Sequence, residues 1–152
     1  SLFSAACQVG SISGFGTEAE VNALKSFGTN FGMTFQLIDD AIDYSSNKKI
    51  LGKNTGDDFK EGKITLPIIL AYGRSNDMEK KFWERTISDQ NQNDGDFEKA
   101  LEIINKYQCI EDTLTRANHF SNVAVDSVDI FKNNIYKEKL VSLVTKSVSR
   151  IY

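Results

Sequence analysis

Between Val21 and Ile42 the residues Val21, Leu24, Phe27, Phe31, Phe35, Ile38 and Ile42 recur at steps of three or four. Only an α-helix turns that period into one continuous apolar stripe. The stripe predicts a helix of about seven turns with one side buried. Its start is written in Thr17-Glu18-Ala19-Glu20, which has capping-box form: the threonine hydroxyl accepts a backbone N–H and the glutamate carboxylate returns one. Its expected end is near Tyr44. The rest of the chain can also be helical, because its single proline is Pro67 and its ten glycines are concentrated in the first half.

Further helices are expected over 1–14, from Thr65-Leu66-Pro67 through the apolar run Ile68-Ile69-Leu70-Ala71-Tyr72, and at about 77–88, 96–107, 110–133 and 136–151. Proline is tolerated in a first helical turn, and the apolar run is expected to be buried. Residues 45–64, with Gly52, Gly56 and Gly62 among charges, read as a loop too long to be idle. Gln90-Asn91-Gln92-Asn93-Asp94-Gly95 reads as a surface loop. The fold class is therefore all-α, a helical bundle. With 152 residues, 40% of them hydrophobic, the chain can bury a core, and a single domain over 1–152 is expected.

Charge and cysteine usage narrow the function. A formal net charge of −3, with both signs interspersed, provides no field to hold nucleic acid or an anionic membrane surface, so any phosphate binding has to be local. No apolar run approaches the roughly 18 to 20 residues that span a bilayer. No signal peptide is recognisable. Cys7 and Cys109 fit neither a metal-binding spacing nor a disulfide framework, which suits reduced thiols in a cytoplasmic protein. The opening Ser1-Leu2-Phe3-Ser4-Ala5-Ala6-Cys7 lacks an initiator methionine and begins in mid-pattern, so a longer parent is expected.

The chemistry is concentrated in Phe35-Gln36-Leu37-Ile38-Asp39-Asp40-Ala41-Ile42-Asp43. At about 100° per residue, Gln36, Asp39, Asp40 and Asp43 share an arc of roughly 100°. No Lys or Arg occurs between Lys25 and Lys48 to offset the acids, and like charges at i,i+4 are unfavourable by roughly a few tenths of a kcal/mol. Cations would complete the arrangement, and a cluster of hard oxygen ligands suits Mg²⁺. The other reading is that these are solvated acids at a helix C-terminus. The loop that follows, Gly52-Lys53-Asn54-Thr55-Gly56-Asp57-Asp58-Phe59-Lys60-Glu61-Gly62-Lys63-Ile64-Thr65, favours a site. Lys53 and Lys63 can reach diphosphate oxygens. Asp57 and Asp58 can hold metal-bound waters or pair with the lysines.

Phe35 to Tyr44 together with Gly52 to Pro67 resembles the second aspartate-rich region of the trans-polyprenyl diphosphate synthases, the long-chain octaprenyl type in particular. The resemblance extends back through Leu2 to Cys7 and, more loosely, to the C-terminus. It implies the C-terminal half of the isoprenoid synthase fold, in which two aspartate-rich motifs face each other across a cavity and three Mg²⁺ ions bridge them to an allylic diphosphate. By motif, Asp39, Asp40 and Asp43 would hold metal, with Asp57 or Asp58 as an outer-sphere partner. Gln36 would sit beside the reacting centre, and Lys53 and Lys63 would bind the diphosphate. The implied partners are an allylic prenyl diphosphate, isopentenyl diphosphate and a second copy in a homodimer.

The first aspartate-rich motif, the basic residues for isopentenyl diphosphate and a Lys-Thr pair just before Ser1 are outside this chain, so the chain alone is expected to be inactive. Two other readings share the pattern: a class I terpene cyclase fragment, whose Asn/Ser/Glu triad is not found, and a non-catalytic subunit that dimerises or binds prenyl chains. His119 reads as a structural or surface residue. Gly28 and Gly32 permit close helix contact. In the last helix Leu140, Leu143, Val144, Val148 and Ile151 form the expected inner stripe beneath solvated Lys137, Lys139, Lys146 and Arg150.

Overall fold

The computed structural model describes residues 2–45 and 55–151. The elements are α1 (Leu2–Ser13), α2 (Glu18–Asp43), α3 (Asp57–Lys60), α4 (Leu66–Arg74), α5 (Asp77–Trp83), α6 (Asp96–Lys106), α7 (Cys109–Ser127) and α8 (Ile135–Val148). A π-helical turn, Glu84–Ser88, extends α5, and a 3₁₀ turn, Ser149–Ile151, closes α8. There is no strand among the described residues, and none of their helices is long and apolar enough to cross a membrane. The fold class is all-α, as the periodicity predicts. The chain forms two compact units, one joining the chain up to Ile38 with the chain from Thr115, the other comprising Asp39–Leu114.

In the first unit the α2 stripe is the core. Phe27 and Phe31 pack with Ala124, Val128 and Val144, and Phe3, Cys7, Leu24, Leu140 and Val141 close around them. The capping box forms: Thr17 N–H donates to Glu20 Oε2 at 2.7 Å and Glu20 N–H to Thr17 Oγ1 at 3.4 Å. Gly28 lets α1 lie directly on α2, since a Cβ there would stand 2.5 Å from the Phe3 carbonyl oxygen. Phe3 uses that closeness to set its ring against Phe31 and Phe35, with centroids 5.1 and 5.6 Å apart.

Several expectations for the C-terminal region need correction. α7 stops at Ser127 and does not reach 133, because the backbone tightens into i→i−3 bonds, with Val128, Asp129 and Phe131 N–H donating to Val125, Asp126 and Val128 carbonyls. Asn134 then caps α8 by accepting the Tyr136 and Lys137 amides. On α8 the buried positions are Val144 and Ser147, with Leu140, Val141 and Val148 half-buried, while Leu143 faces solvent. Leu143 lies roughly 90° from the centre of that stripe. Lys137 is not solvated either: its ammonium bonds Asp129 Oδ1 at 3.0 Å and the Phe131 carbonyl at 3.2 Å. Arg150 covers the Phe35 ring at 5.1 Å.

The second unit has its own core of Tyr44, Phe59, Ile68, Ala71, Phe82, Trp83, Ile87, Ala100, Ile103, Ile104 and Cys109. The run from Ile68 to Tyr72 is only half inside. Ile68 and Ala71 are buried, whereas Ile69 and Tyr72 are exposed, because a helix of nine residues can bury only its i, i+3 face. A capping box not anticipated from the sequence starts α5, with Glu79 N–H donating to Asn76 Oδ1 and Asn76 N–H to Glu79 Oε2. Glu79 also accepts from Lys106 Nζ and Tyr107 Oη, both at 2.8 Å. Hydrogen bonding from Lys106 first, then from the Asn76 amide, holds its carboxyl at about 2. Arg85 and Asp96 form a bidentate pair, both bonds 2.8 Å, that ties the π turn to the start of α6.

Candidate functional site

The apolar periodicity of α2 decides which way its acids can point. Leu37, Ile38, Ala41 and Ile42 are buried, so residues on the remaining arc, Gln36, Asp39 and Asp43, are displaced toward the opposite side. Gln36 is exposed, and Asp39 and Asp43 are half-buried. Asp40 lies between the two arcs and is only 6% exposed.

Asp43 is engaged twice with the returning chain. Its carbonyl accepts the Gly56 N–H at 3.0 Å, and its carboxylate Oδ2 accepts the Asp58 N–H at 3.0 Å. Burial pushes the Asp43 carboxyl above the ordinary value, and the negative charges of Asp58 and Asp57 act in the same sense, while the Asp58 amide, and less strongly the Asp57 amide, work against them. The segment so attached is not loop throughout, contrary to the expectation for 45–64: residues 57–60 form α3, with Asp57 and Asp58 in its first turn.

The acids of α3 pair with lysines close by in sequence, Lys60 at its end and Lys63 just beyond it. Asp58 Oδ1 accepts from Lys63 Nζ at 2.8 Å, and the Lys63 amide donates to the Asp58 carbonyl at 2.9 Å. Asp57 takes a looser contact from Lys60 at 3.5 Å. The Lys63 ammonium is held above its ordinary value first by the bond to Asp58, then by the charges of Asp58, Asp40 and Asp39, against a desolvation that acts in the opposite direction. Lys63 therefore stands in the combined field of the α2 and α3 acids. Lys53 lies outside the described residues.

Two buried hydroxyls adjoin this cluster. Tyr44 Oη and Thr65 Oγ1 lie near each other without a hydrogen bond. Burial drives the phenol well above its usual range, assisted by the charges of Asp43, Asp58 and Asp40 and opposed by the Thr65 hydroxyl.

The polar loop after the π turn also takes part, which its composition does not announce. Gln92 turns inward and donates from Nε2 to the Phe59 carbonyl at 2.7 Å and the Thr86 carbonyl at 3.0 Å. Gln90 reaches the Glu61 carbonyl at 3.4 Å. Both brace the stretch that carries Asp58 and Lys63. His119 is exposed, with its ring beside Phe120, and Cys7 and Cys109 are free thiols.

Chemically, the described residues of the cluster offer hard oxygen ligands with the Lys63 ammonium beside them. Among the described residues no three acidic, histidine or cysteine side chains converge into a closed metal cage. Magnesium does not require one: it keeps several waters and is commonly held by one or two carboxylates together with substrate phosphates. The donor set of Asp39 and Asp40, with a lysine alongside, fits such an open site.

Comparison with known proteins supports the pattern from outside the geometry. Residues 1–104 match the family model for polyprenyl synthetase. The octaprenyl diphosphate synthase of Haemophilus influenzae is 36% identical over 151 residues, 99% of this chain and 46% of that protein. The Escherichia coli octaprenyl diphosphate synthase is 34% identical over 149 residues, 98% of this chain and 46% of that protein. Among solved structures, a decaprenyl diphosphate synthase from Rhodobacter capsulatus superposes with a TM-score of 0.92 at 36% identity, covering 99% of this chain and 46% of that one. A polyprenyl synthase from Caulobacter crescentus, solved with calcium and isoprenyl diphosphate, gives 0.88 at 41%, covering 97% and 45%. The chain thus spans about half the length of the relatives it matches. The family match runs through the acid-bearing end of α2, α3 and Lys63, and the chain belongs to the polyprenyl synthetase family.

Proposed function

We propose that this chain forms the allylic-diphosphate side of a magnesium-dependent polyprenyl diphosphate synthase. The observation that carries the reading is the placement of Lys63 beside Asp58, within the field of Asp39 and Asp40: one ammonium among several hard oxygen ligands suits a diphosphate and its counter-cations together.

In this reading Asp39 and Asp40 hold magnesium, whose charge when bound stabilises the departing diphosphate. Lys63 donates to diphosphate oxygens where negative charge develops, a contribution that a preorganised donor makes without reorganising water. Asp58 keeps that ammonium protonated and in place until the ligand arrives, and Asp57 serves at the outer edge of the metal shell. Gln36, one turn before Asp40 on α2, lies beside the reacting carbon, and Lys53 is assigned to the same diphosphate.

The reaction is an alkyl transfer. The allylic C–O bond breaks and its electron pair leaves on the diphosphate. The double bond of isopentenyl diphosphate attacks the resulting cation, a C–C bond forms, and a proton is lost to restore the alkene. The reading also makes the protein a homodimer, which sedimentation of the parent protein tests.

The deciding experiment is calorimetry of an unreactive allylic thiolodiphosphate in the presence and absence of Mg²⁺, with this chain and with Asp39→Ala and Lys63→Ala. Magnesium-dependent binding by the unaltered chain, lost in Asp39→Ala and weakened in Lys63→Ala, is the expected result. Binding that ignores magnesium, or that survives Asp39→Ala, would remove the assignment.

A further inference from the structure

We propose that Asp43 is a positioning residue: its carboxylate caps α3 from outside and thereby fixes the Asp58–Lys63 pair. The proposal deepens the site reading above and rests on it for the purpose the pair serves, but its structural part stands on unit geometry alone.

A helix as short as α3 consists almost entirely of ends, so its first amides have no partner within the helix. The usual remedy is a side-chain oxygen on the residue just before the helix, bonded to the second or third amide. That residue is Gly56, which has no side chain to offer. Nothing larger fits there. Gly56 sits at φ 86°, and a Cβ would lie 2.6 Å from the Phe97 ring. The ring, packed with Phe59 and Tyr44, seals the position where a capping side chain would begin. The missing acceptor therefore has to come from elsewhere in the chain.

Asp43 supplies it. Its Oδ2 meets the N–H of Asp58, the second residue of α3, at 3.0 Å, where an ordinary cap oxygen would bond. The Asp43 carbonyl meanwhile takes the Gly56 amide, so the last residue of α2 grips the approach to α3 by backbone and side chain at once. Beyond the cap, the Asp58 carboxylate holds Lys63 Nζ and its carbonyl holds the Lys63 amide. Register at Asp58 is thus register at Lys63. One carboxylate oxygen of Asp43 is committed to this task.

A cap and a metal ligand respond differently to asparagine. Its carbonyl oxygen accepts the same amide and ranks with aspartate at helix starts, yet it lacks the charge that a magnesium ligand supplies. The test uses Asp43→Asn, Asp43→Ala and Asp39→Asn with two readouts. The first is water exchange of the Asp58 and Lys63 amides by NMR without metal, referenced to amides of α8. The second is magnesium-dependent binding of the allylic thiolodiphosphate.

Asp43→Ala should speed exchange at both amides roughly five- to tenfold, the range expected for a lost cap, and weaken diphosphate binding. Asp43→Asn should stay within about twofold of the unaltered chain in both readouts, whereas Asp39→Asn should lose binding with exchange unchanged. Unchanged exchange in Asp43→Ala overturns the proposal. So does loss of binding in Asp43→Asn at unaltered exchange, which would make Asp43 a ligand and leave the site reading intact. Binding indifferent to Asp39→Asn removes the site reading instead, and the exchange data still judge the cap.

Discussion

Gln92 is the residue whose replacement most directly tests how the Lys63 segment is held. Its side-chain amide donates to two backbone carbonyls, Phe59 and Thr86, that belong to buried residues. Thr86 lies in the last turn of its helix, where carbonyls lack partners within the helix. Each neutral hydrogen bond contributes about 1 kcal/mol net, and ordering a glutamine side chain costs up to about 2 kcal/mol. Gln92→Ala loses both bonds and is relieved of that ordering, so it should destabilise by only about 1 kcal/mol.

Gln92→Glu keeps the shape and is worse. At neutral pH its carboxylate faces the same two carbonyl oxygens with no proton to offer, a cost of about 2 to 4 kcal/mol. For a chain of this length about 1 kcal/mol corresponds to roughly 2 to 4 °C in Tm, so thermal unfolding separates the variants easily. The glutamate variant carries a second signature. Its carboxyl would have a folded-state pKa above the unfolded one, so the cost is present above the folded pKa and relieved as pH falls through it. The gap between the glutamate and alanine variants should therefore narrow on acidification from pH 7 to 4.5. If Gln92→Glu is as stable as Gln92→Ala at pH 7, the inward amide is not bonding those carbonyls and the bracing argument fails.

Glu79, held at about 2 against an ordinary 4.5, stabilises the fold fully above the unfolded value, and that contribution fades as pH drops from 4.5 through about 2. Glu79→Gln should flatten the acid limb of Tm against pH, and an unchanged limb would contradict the Lys106 and Asn76 bonds. Gly28→Ala separates two effects by sign: helix propensity alone stabilises by about 1 kcal/mol, but overpacking against the α1 backbone costs about 1 to 3 kcal/mol, so a urea midpoint lower than that of the unaltered chain is expected. Tyr44→Phe removes a buried hydroxyl whose polar neighbour, Thr65 Oγ1, is too poorly placed for a regular hydrogen bond and should leave stability unchanged or raise it by up to about 1 kcal/mol; a clear loss would show that the two hydroxyls are bonded, directly or through a water.

Much of this architecture can be read before folding because it is periodic or local. The α2 stripe and the Thr17–Glu20 box depend on residues three or four apart, and both form as expected. The order of acid cluster, spacer and Lys63 is likewise linear information. What escapes the sequence is contact whose partner is main chain. Gln92 bonds a carbonyl 33 residues away and Asp43 an amide 15 residues on. A carbonyl or amide has the same chemistry at every residue, so nothing at Phe59 or Asp58 marks it as the recipient. Leu143 and Ile69 fail for a different reason: hydrophobicity indicates that a residue can be buried, but a helix has only one inner face, and the neighbours that choose it come from other helices. Asp43 shows both regimes in one side chain. Its place on the α2 face follows from helical period, whereas its use as a cap depends on Gly56 being unable to carry one, a constraint imposed by the Phe97 ring. Acid spacing alone therefore groups Asp43 with Asp39 and Asp40, and only the folded return of the chain through Gly56 shows that the Asp43 carboxylate bonds the main chain at Asp58.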